Sequence, residues 1–172
     1  MKYLTHILQN IVPLETKGSV VLAIKSLALD SRKVSESTLF FALRGTQVDG
    51  HEYIQKAIQK GAVAIVCEEF PENLQNDIAY IRVQNTSQIL GIAASNFYDN
   101  PSQKLKLVGI TGTNGKTTTA TLLFNLFKSL GYKTGLLSTI LYQVDNVSVE
   151  ATHTTPDAIR INELLNQMVE AG

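Results

Sequence analysis

The strongest signal in this sequence is the stretch Thr111-Gly112-Thr113-Asn114-Gly115-Lys116-Thr117-Thr118. An apolar segment precedes it and a segment with helical spacing follows it, which is the setting of a phosphate-binding loop. Glycines let backbone N–H groups approach phosphate oxygens, and the N-terminus of the following helix attracts anions. In such a loop Lys116 supplies a point charge to the terminal phosphates, and Thr117 can place its hydroxyl on Mg²⁺.

The strict phosphate-loop pattern is not met, because it requires glycine where Ile110 stands, and Gly109 lies one residue too early. The alternative is a glycine-rich turn between a strand and a helix, with an exposed lysine. The adjoining segments favour the phosphate-binding interpretation.

Short apolar runs alternate with helical spacing along the chain, as in α/β proteins. The run 62–67 is wholly apolar, which is typical of a strand covered on both faces. We predict further strands at 27–29, 39–43, 79–83, 105–110 and 135–141, and a turn at 145–146 between two short strands. We predict helices at 51–60, 86–98 and 157–171, and one after the loop that buries Leu123, Leu126, Phe127 and Leu130.

The composition excludes several classes of protein. The chain has 172 residues, of which 44% are hydrophobic and 17% charged, so wholesale disorder is excluded. Residues 1–100 carry 9 basic and 10 acidic side chains and residues 101–172 carry 6 and 5, so we expect no nucleic-acid partner. No apolar run approaches the roughly 18 residues of a membrane span, and Cys67 is the single cysteine. We expect a cytoplasmic monomer with Cys67 in the core.

The polar stretch 99–103 follows a predicted helix and is the candidate domain boundary. We therefore predict an N-terminal domain at 1–100 and a second domain that starts at 101. Residues 101–172 supply few strands for a parallel sheet, which needs covering on both faces. We expect these residues to be the first part of a larger domain.

The loop resembles that of the Mur ligases and of folylpolyglutamate synthetases, which form amide bonds through an acyl phosphate. Three further stretches resemble the MurE-type Mur ligases in particular, and this resemblance extends over essentially the whole chain. They are Leu29-Asp30-Ser31-Arg32, Phe41-Ala42-Leu43-Arg44-Gly45-Thr46-Gln47-Val48-Asp49-Gly50-His51 and Thr152-His153-Thr154-Thr155-Pro156.

The resemblance implies a small α/β substrate-binding domain, followed by the start of an ATPase domain with a phosphate loop and a parallel sheet. It implies ATP binding by Gly112, Thr113, Asn114, Gly115, Lys116, Thr117 and Thr118, with Lys116 catalytic and Thr117 a ligand of Mg²⁺. It implies that the UDP end of the substrate contacts Leu29, Ser31, Thr46, Gln47 and Val48, and that the peptide end contacts His153, Thr154 and Thr155. His153 stands where the family has asparagine.

Purely structural interpretations of the same residues also stay open. Ser31 is equally well a turn residue after a strand, and Asp30 with Arg32 a local ion pair. Thr155 before Pro156 is also a good helix N-cap.

The resemblance implies a function in peptidoglycan synthesis. The reaction would add meso-diaminopimelate or L-lysine to UDP-N-acetylmuramoyl-L-alanyl-D-glutamate, with the free amino acid as second substrate. We expect these 172 residues alone not to complete it. The alternatives are another amide ligase of the superfamily, either a folylpolyglutamate synthetase or a different Mur step, and a non-catalytic module that binds a UDP-sugar.

Overall fold

The computed structural model describes residues 1–45, 48–145, 147–150 and 156–172. These residues form two compact units, Met1–Phe97 and Tyr98–Gly172. The assignment of residues 1–100 and 101–172 to two functional domains stays a prediction. No helix in the described ranges is long and apolar enough to cross a membrane.

The first unit alternates strands and helices, and its α/β class is confirmed. Its strands are β1 (Lys2–Tyr3), β2 (Glu15–Lys17), β3 (Ala23–Ile24), β4 (Ser26–Ala28), β5 (Thr38–Phe41), β6 (Ala62–Cys67) and β7 (Ala79–Arg82). Its helices are α1 (Leu4–Ile7), α2 (Ile54–Gln59) and α3 (Thr86–Phe97), with short 3-10 turns at Ser31–Lys33 and Gly50–Tyr53.

A five-stranded sheet in the order β2-β7-β6-β5-β4 organises this unit. The strands β4, β5, β6 and β7 are parallel, and β2 closes one edge antiparallel to β7. All four residues of β5 and five of six in β6 are buried, because a parallel sheet is covered on both faces. The core on one face joins Phe40, Ile65 and Tyr80 to the buried side of α2.

The sequence predicts this unit closely. The strand at 62–67 matches β6, and the strands at 27–29, 39–43 and 79–83 match β4, β5 and β7 to within two residues at either end. The helix at 86–98 matches α3, with Leu90 and Ala93 buried. Cys67 is buried, as predicted, and burial raises the pKa of its thiol to about 12. The elements α1, β1, β2 and β3 were not predicted, since two to four residues carry no measurable periodicity.

Fewer of the predicted helices and strands are present in the second unit than in the first. It contains α4 (Lys116–Ser129), α5 (Ala158–Ala171) and the strands β8 (Gly135–Leu137), β9 (Leu141–Val144) and β10 (Val147–Glu150), with a 3-10 turn at Pro101–Lys104. The three strands form an antiparallel sheet in the order β10-β9-β8. The pairing of β9 with β10 confirms the predicted pair of short strands, although Asn146 lies outside the described residues.

Three predictions in this unit are wrong. Residues 105–110 form no strand, and Leu107 and Val108 are 57% and 67% exposed, because no described strand pairs with them. The predicted strand at 135–141 ends at Leu137, and β9 begins at Leu141. On α4 the buried residue is Phe124, whereas the predicted inward residues Leu126, Phe127 and Leu130 are exposed.

The last helix, α5, is confirmed with Leu164 and Leu165 buried. Its N-cap is Asp157, whose side chain accepts from the backbone N–H of Arg160 at 2.8 Å. A carboxylate cap at this position satisfies one of the free N–H groups of the first turn, so the cap lies two residues after the predicted Thr155.

A buried amide joins α3 to the end of α1 and to the residues that follow it. The Nδ2 atom of Asn96 donates to the carbonyl oxygens of Ile7 and Gln9, at 3.0 and 2.7 Å. The residue is only 4% exposed, so its removal leaves two carbonyls without a donor. We predict that Asn96→Ala lowers the free energy of unfolding by about 1–3 kcal/mol.

Urea denaturation of the chain, followed by circular dichroism, measures this loss. Gln88→Ala, at an exposed position of the same helix, is the control and is expected to leave the midpoint within error. Equal midpoints for Asn96→Ala and the wild type would contradict the assignment.

Candidate functional site

The predicted phosphate loop leads directly into α4, and its residues 111–116 are all exposed. The N-cap of α4 is Gly115, with a φ of 79° and no side chain to cap the helix. The backbone N–H of Thr119 is bonded to Gly115 O at 2.9 Å, whereas the N–H groups of the preceding turn have no partner within the helix. An uncapped, exposed helix N-terminus of this kind is suited to bind an anion.

Lys116 lies across the loop that precedes its helix. Its Nζ donates to the carbonyl oxygens of Gly112 and Thr113, at 2.5 and 3.2 Å. The backbone of the loop therefore holds the ammonium group against the loop that leads into the helix N-terminus. Two sources of positive potential meet at one exposed place, which is the electrostatic requirement for a polyphosphate.

The remaining loop residues are close by in sequence and differ in exposure. Thr117 is half-buried in the first turn of α4, and Thr118 is exposed. Among the described residues no group of three His, Cys, Asp or Glu side chains is arranged to hold a metal ion. Because Mg²⁺ usually takes one or two protein ligands together with phosphate oxygens and water, the hydroxyl of Thr117 beside bound phosphates fits the predicted cation.

The second predicted site lies at one edge of the five-stranded sheet. Parallel strands end at the same edge, and the paired strands β4 and β5 run parallel. Leu29 and Ser31 directly follow β4, and Val48 is on the segment that follows β5. The carboxyl edge of such a sheet is where α/β proteins bind their ligands. Five of the predicted contact residues lie outside the described part of the chain: Thr46, Gln47, His153, Thr154 and Thr155.

The three described residues differ in exposure. Ser31 is 4% exposed and Leu29 is half-buried, whereas Val48 is 54% exposed. Ser31 also begins the 3-10 turn Ser31–Lys33. The turn role predicted for Ser31 is therefore confirmed, and its position at the sheet edge is compatible with the ligand contact as well.

Asp30 and Arg32 form the ion pair that the sequence left open. The Arg32 Nε lies 3.0 and 2.9 Å from the two carboxylate oxygens, and Nη2 lies 2.7 Å from Oδ2. The same carboxylate accepts from the backbone N–H of Arg32 at 2.8 Å and caps the 3-10 turn. These hydrogen bonds from Arg32 lower the pKa of Asp30 to about 2.

A charged cluster at the same edge was not predicted as a unit. We call it the edge cluster; its members are Arg44, Asp49, His51, Glu68 and Glu69. Arg44, Asp49 and His51 flank the predicted UDP-contact residues, and the two glutamates directly follow β6. The sequence feature that could have revealed this cluster is the acidic pair, Glu68 and Glu69, at the end of an apolar strand. Parallel pairing of β5 with β6 brings this pair to the edge where the segment after β5 begins.

Two sequence profiles of known families match the chain. The profile of the Mur ligase family, catalytic domain, matches residues 23–98, and that of the Mur ligase middle domain matches residues 110–172. The two matches leave out residues 1–22 and 99–109.

Named relatives match most of this chain. The UDP-N-acetylmuramoyl-L-alanyl-D-glutamate--2,6-diaminopimelate ligase of Cytophaga hutchinsonii is 54% identical over 160 residues, which are 92% of this chain and 33% of that protein. A solved structure of a UDP-N-acetylmuramoyl-L-alanyl-D-glutamate--2,6-diaminopimelate ligase is similar with a TM-score of 0.72 and 25% identity, over 95% of this chain and 33% of that chain.

A third match is a structure of MurF ligase from Thermotoga maritima in complex with ADP. It has a TM-score of 0.54 and 26% identity, and covers 83% of this chain and 29% of that chain. The chain thus spans about a third of the length of the relatives it matches.

The ion pair of Asp30 predicts a pH dependence of stability. The pKa of this group is lowered from 3.8 to about 2 on folding, so its contribution is fully present above about pH 4 and is lost as the pH falls through 2. We predict that Asp30→Asn, which keeps a side-chain oxygen for the turn, is destabilised relative to wild type at pH 7. The difference should shrink towards pH 2.

Urea midpoints at pH 7, 4 and 2.5 measure this. Glu72→Gln removes an exposed carboxylate of the same unit and is the control for general charge effects. A difference between Asp30→Asn and wild type that stays constant from pH 7 to 2.5 would contradict the assigned ion pair.

Proposed function

Because the chain belongs to the Mur ligase family, we propose that the full-length protein is an ATP-dependent ligase of peptidoglycan synthesis. It adds 2,6-diaminopimelate to UDP-N-acetylmuramoyl-L-alanyl-D-glutamate, the reaction for which its relatives are named. The observation that carries the proposal is the exposed, uncapped N-terminus of α4 with the Lys116 ammonium group held beside it.

We assign ATP to the loop at 112–118. The free N–H groups of the first turn of α4 bind phosphate oxygens, and Lys116 neutralises charge on the terminal phosphates. For this, Lys116 exchanges its bonds to loop carbonyls for bonds to phosphate. The ADP in the MurF structure that the chain resembles supports this assignment. Mg²⁺, when bound, stabilises charge on the transferred phosphoryl group, and Thr117 is its proposed ligand from this chain.

We assign the UDP end of the substrate to the first unit. Leu29, Ser31 and Val48 lie on segments that leave the carboxyl edge of the sheet, and Thr46 and Gln47 belong to the same segment as Val48. Residues 1–100 then serve as the UDP-binding domain, and residues 101–172 as the start of the ATP-binding domain. His153, Thr154 and Thr155 are proposed contacts of the substrate near the transferred phosphoryl group.

The proposed reaction has two steps. A γ-carboxylate oxygen of the D-glutamate residue attacks the γ-phosphorus of ATP, the bond to the bridging oxygen breaks, and ADP leaves. The amine of the free amino acid then attacks the acyl carbon, phosphate leaves, and the amine loses a proton as the amide forms. The chain contributes positioning and charge stabilisation, and Lys116 stabilises the negative charge on the phosphoryl oxygens.

The remaining assignments are the partners, the oligomeric state and the cellular location. The partners are the UDP-linked dipeptide and a free amino acid, and we propose that the protein acts as a monomer in the cytoplasm.

The full-length protein tests the proposal directly. We expect amide formation that requires ATP, UDP-N-acetylmuramoyl-L-alanyl-D-glutamate and 2,6-diaminopimelate together, with one ADP released for each product. Mass spectrometry identifies the product, and L-lysine is the competing amino acid. ADP release stimulated by folate rather than by the UDP substrate would indicate a different ligase, and binding of the UDP substrate without any ATP binding would indicate a non-catalytic module.

Lys116→Ala tests the phosphate loop by itself. Charge-assisted hydrogen bonds are among the stronger polar contacts in proteins, so we predict a loss of at least about tenfold in ATP affinity or turnover of the full-length protein. Lys104→Ala makes the same change of charge at an exposed position outside the loop and is expected to keep wild-type values. Unchanged kinetics for Lys116→Ala would show that the loop does not bind the transferred phosphates.

A further inference from the structure

We propose that His51 is a positioning residue. It ties the segment 43–50, which carries the proposed UDP contact Val48, to the end of β6, and thereby sets the affinity for the UDP substrate. The inference rests on the proposed function, since it assigns a role at the same substrate edge. It concerns the edge cluster, none of whose members is among the residues assigned above to substrate or ATP.

The imidazole of His51 bridges two parts of the edge. Its Nδ1 lies 2.6 Å from Oδ1 of Asp49, on the segment that carries Val48. Its Nε2 lies 2.9 Å from the backbone N of Glu68, the residue that follows β6, and 3.4 Å from that of Glu69. The ring is 14% exposed and the Asp49 side chain 40%, so both contacts are partly shielded from water.

The partners fix the form of the imidazole. A backbone N–H can only donate, so Nε2 must be the acceptor and carries no proton. The proton of the neutral ring therefore lies on Nδ1, which donates it to the Asp49 carboxylate. This carboxylate also accepts from the backbone N–H of His51 at 2.9 Å. Only the tautomer with the proton on Nδ1 satisfies both ends of the bridge.

Arg44 ties the other side of the segment to the same place. Its Nη2 lies 2.6 Å from Oε1 of Glu69, and its Nε lies 3.5 Å from Oε2 of Glu68 and 3.7 Å from Oδ2 of Asp49. Glu68 is in turn fixed, because its Oε1 accepts from the backbone N–H of Thr86 at the start of α3. The residues before and after the UDP-contact positions are thus both anchored to the end of β6.

The base of the segment is closed by backbone contacts. The N–H of Gly50 donates to Leu43 O at 2.8 Å, and the N–H of Gly45 donates to Val48 O at 3.0 Å. A Cβ at Gly50 would lie 2.7 Å from Leu43 N and O, so only glycine allows this approach. These backbone bonds join the two ends of the segment, and His51 and Arg44 tie those ends to the sheet edge.

This arrangement holds the residues on both sides of the proposed UDP contacts in place before a ligand arrives. Val48 is 54% exposed on the chain that leaves β5, at the sheet edge that Leu29 and Ser31 also follow. A segment fixed before binding loses less conformational entropy when the ligand arrives. Loss of the bridge should therefore weaken the binding of the UDP substrate and leave the phosphoryl transfer unchanged.

Steady-state kinetics of the full-length protein test this separation. For His51→Ala we expect KM for the UDP substrate to rise about fivefold to tenfold, with kcat and KM for ATP within twofold of wild type. His51→Gln keeps an acceptor near the Nε2 position and should recover part of the loss. Glu52→Ala, an exposed neighbour in the same 3-10 turn, is the control and should match wild type.

Two results would overturn the positioning role. One is a fall in kcat for His51→Ala with KM unchanged. Such a fall would indicate that fewer molecules fold, or that His51 takes a direct part in the reaction. The other is a KM for His51→Ala equal to that of wild type. In both cases a wild-type protein that still ligates leaves the proposed function intact.

The bridge itself is tested without any ligase assay. Nitrogen-15 spectra of the histidine rings, assigned by comparison with His51→Gln, should give the proton on Nδ1. The amide of Glu68 should be protected from hydrogen exchange, and this protection should be lost in His51→Ala. A proton on Nε2, or an unprotected Glu68 amide, would overturn the bridge whether or not the protein is a ligase.

Discussion

The parallel register of β4, β5, β6 and β7 is the constraint on which the first unit depends. Parallel strands must all end at one edge, so every segment that leaves a carboxyl end arrives at the same place. This constraint brings Ser31, Val48 and Glu68 to one edge, although 37 positions separate the first from the last in the sequence. The buried interior supports this arrangement: β6 is apolar throughout and β5 is apolar after Thr38, and charged residues follow each strand.

The same constraint explains what the sequence predicts well. A strand such as β6 is buried on both faces, and a run of six apolar residues between polar ones is a strong local signal. Burial of Leu90 and Ala93 on α3 follows in the same way from helical spacing. The wrong predictions have the opposite cause. Residues 105–110 have the composition of a buried strand, but a strand needs a neighbour to accept its hydrogen bonds, and the described residues provide none.

The two candidate sites differ in how far apart in the sequence their contacting residues lie. In the phosphate loop, Lys116 contacts Gly112 and Thr113, and the helix that supplies the N–H groups begins at Lys116 itself. Every contact lies within five positions, so the sequence motif predicts the geometry. At the sheet edge, Arg44 reaches Glu69 and His51 reaches Glu68 across 25 and 17 positions. Such pairs depend on strand order and register, which no local pattern specifies, and so the edge cluster was missed.

This difference suits the two ligands. A polyphosphate presents many equivalent oxygens, and a helix N-terminus with free N–H groups and one cation can meet them in several ways. A nucleotide presents few polar atoms in a fixed pattern, and its recognition requires groups held in place before it arrives. In the proposed function, the loop at 112–118 meets the first ligand with a short motif, and the first unit meets the second with a sheet edge that His51 and Arg44 hold in place. The long-range contacts therefore lie at the site whose proposed ligand requires groups held in place.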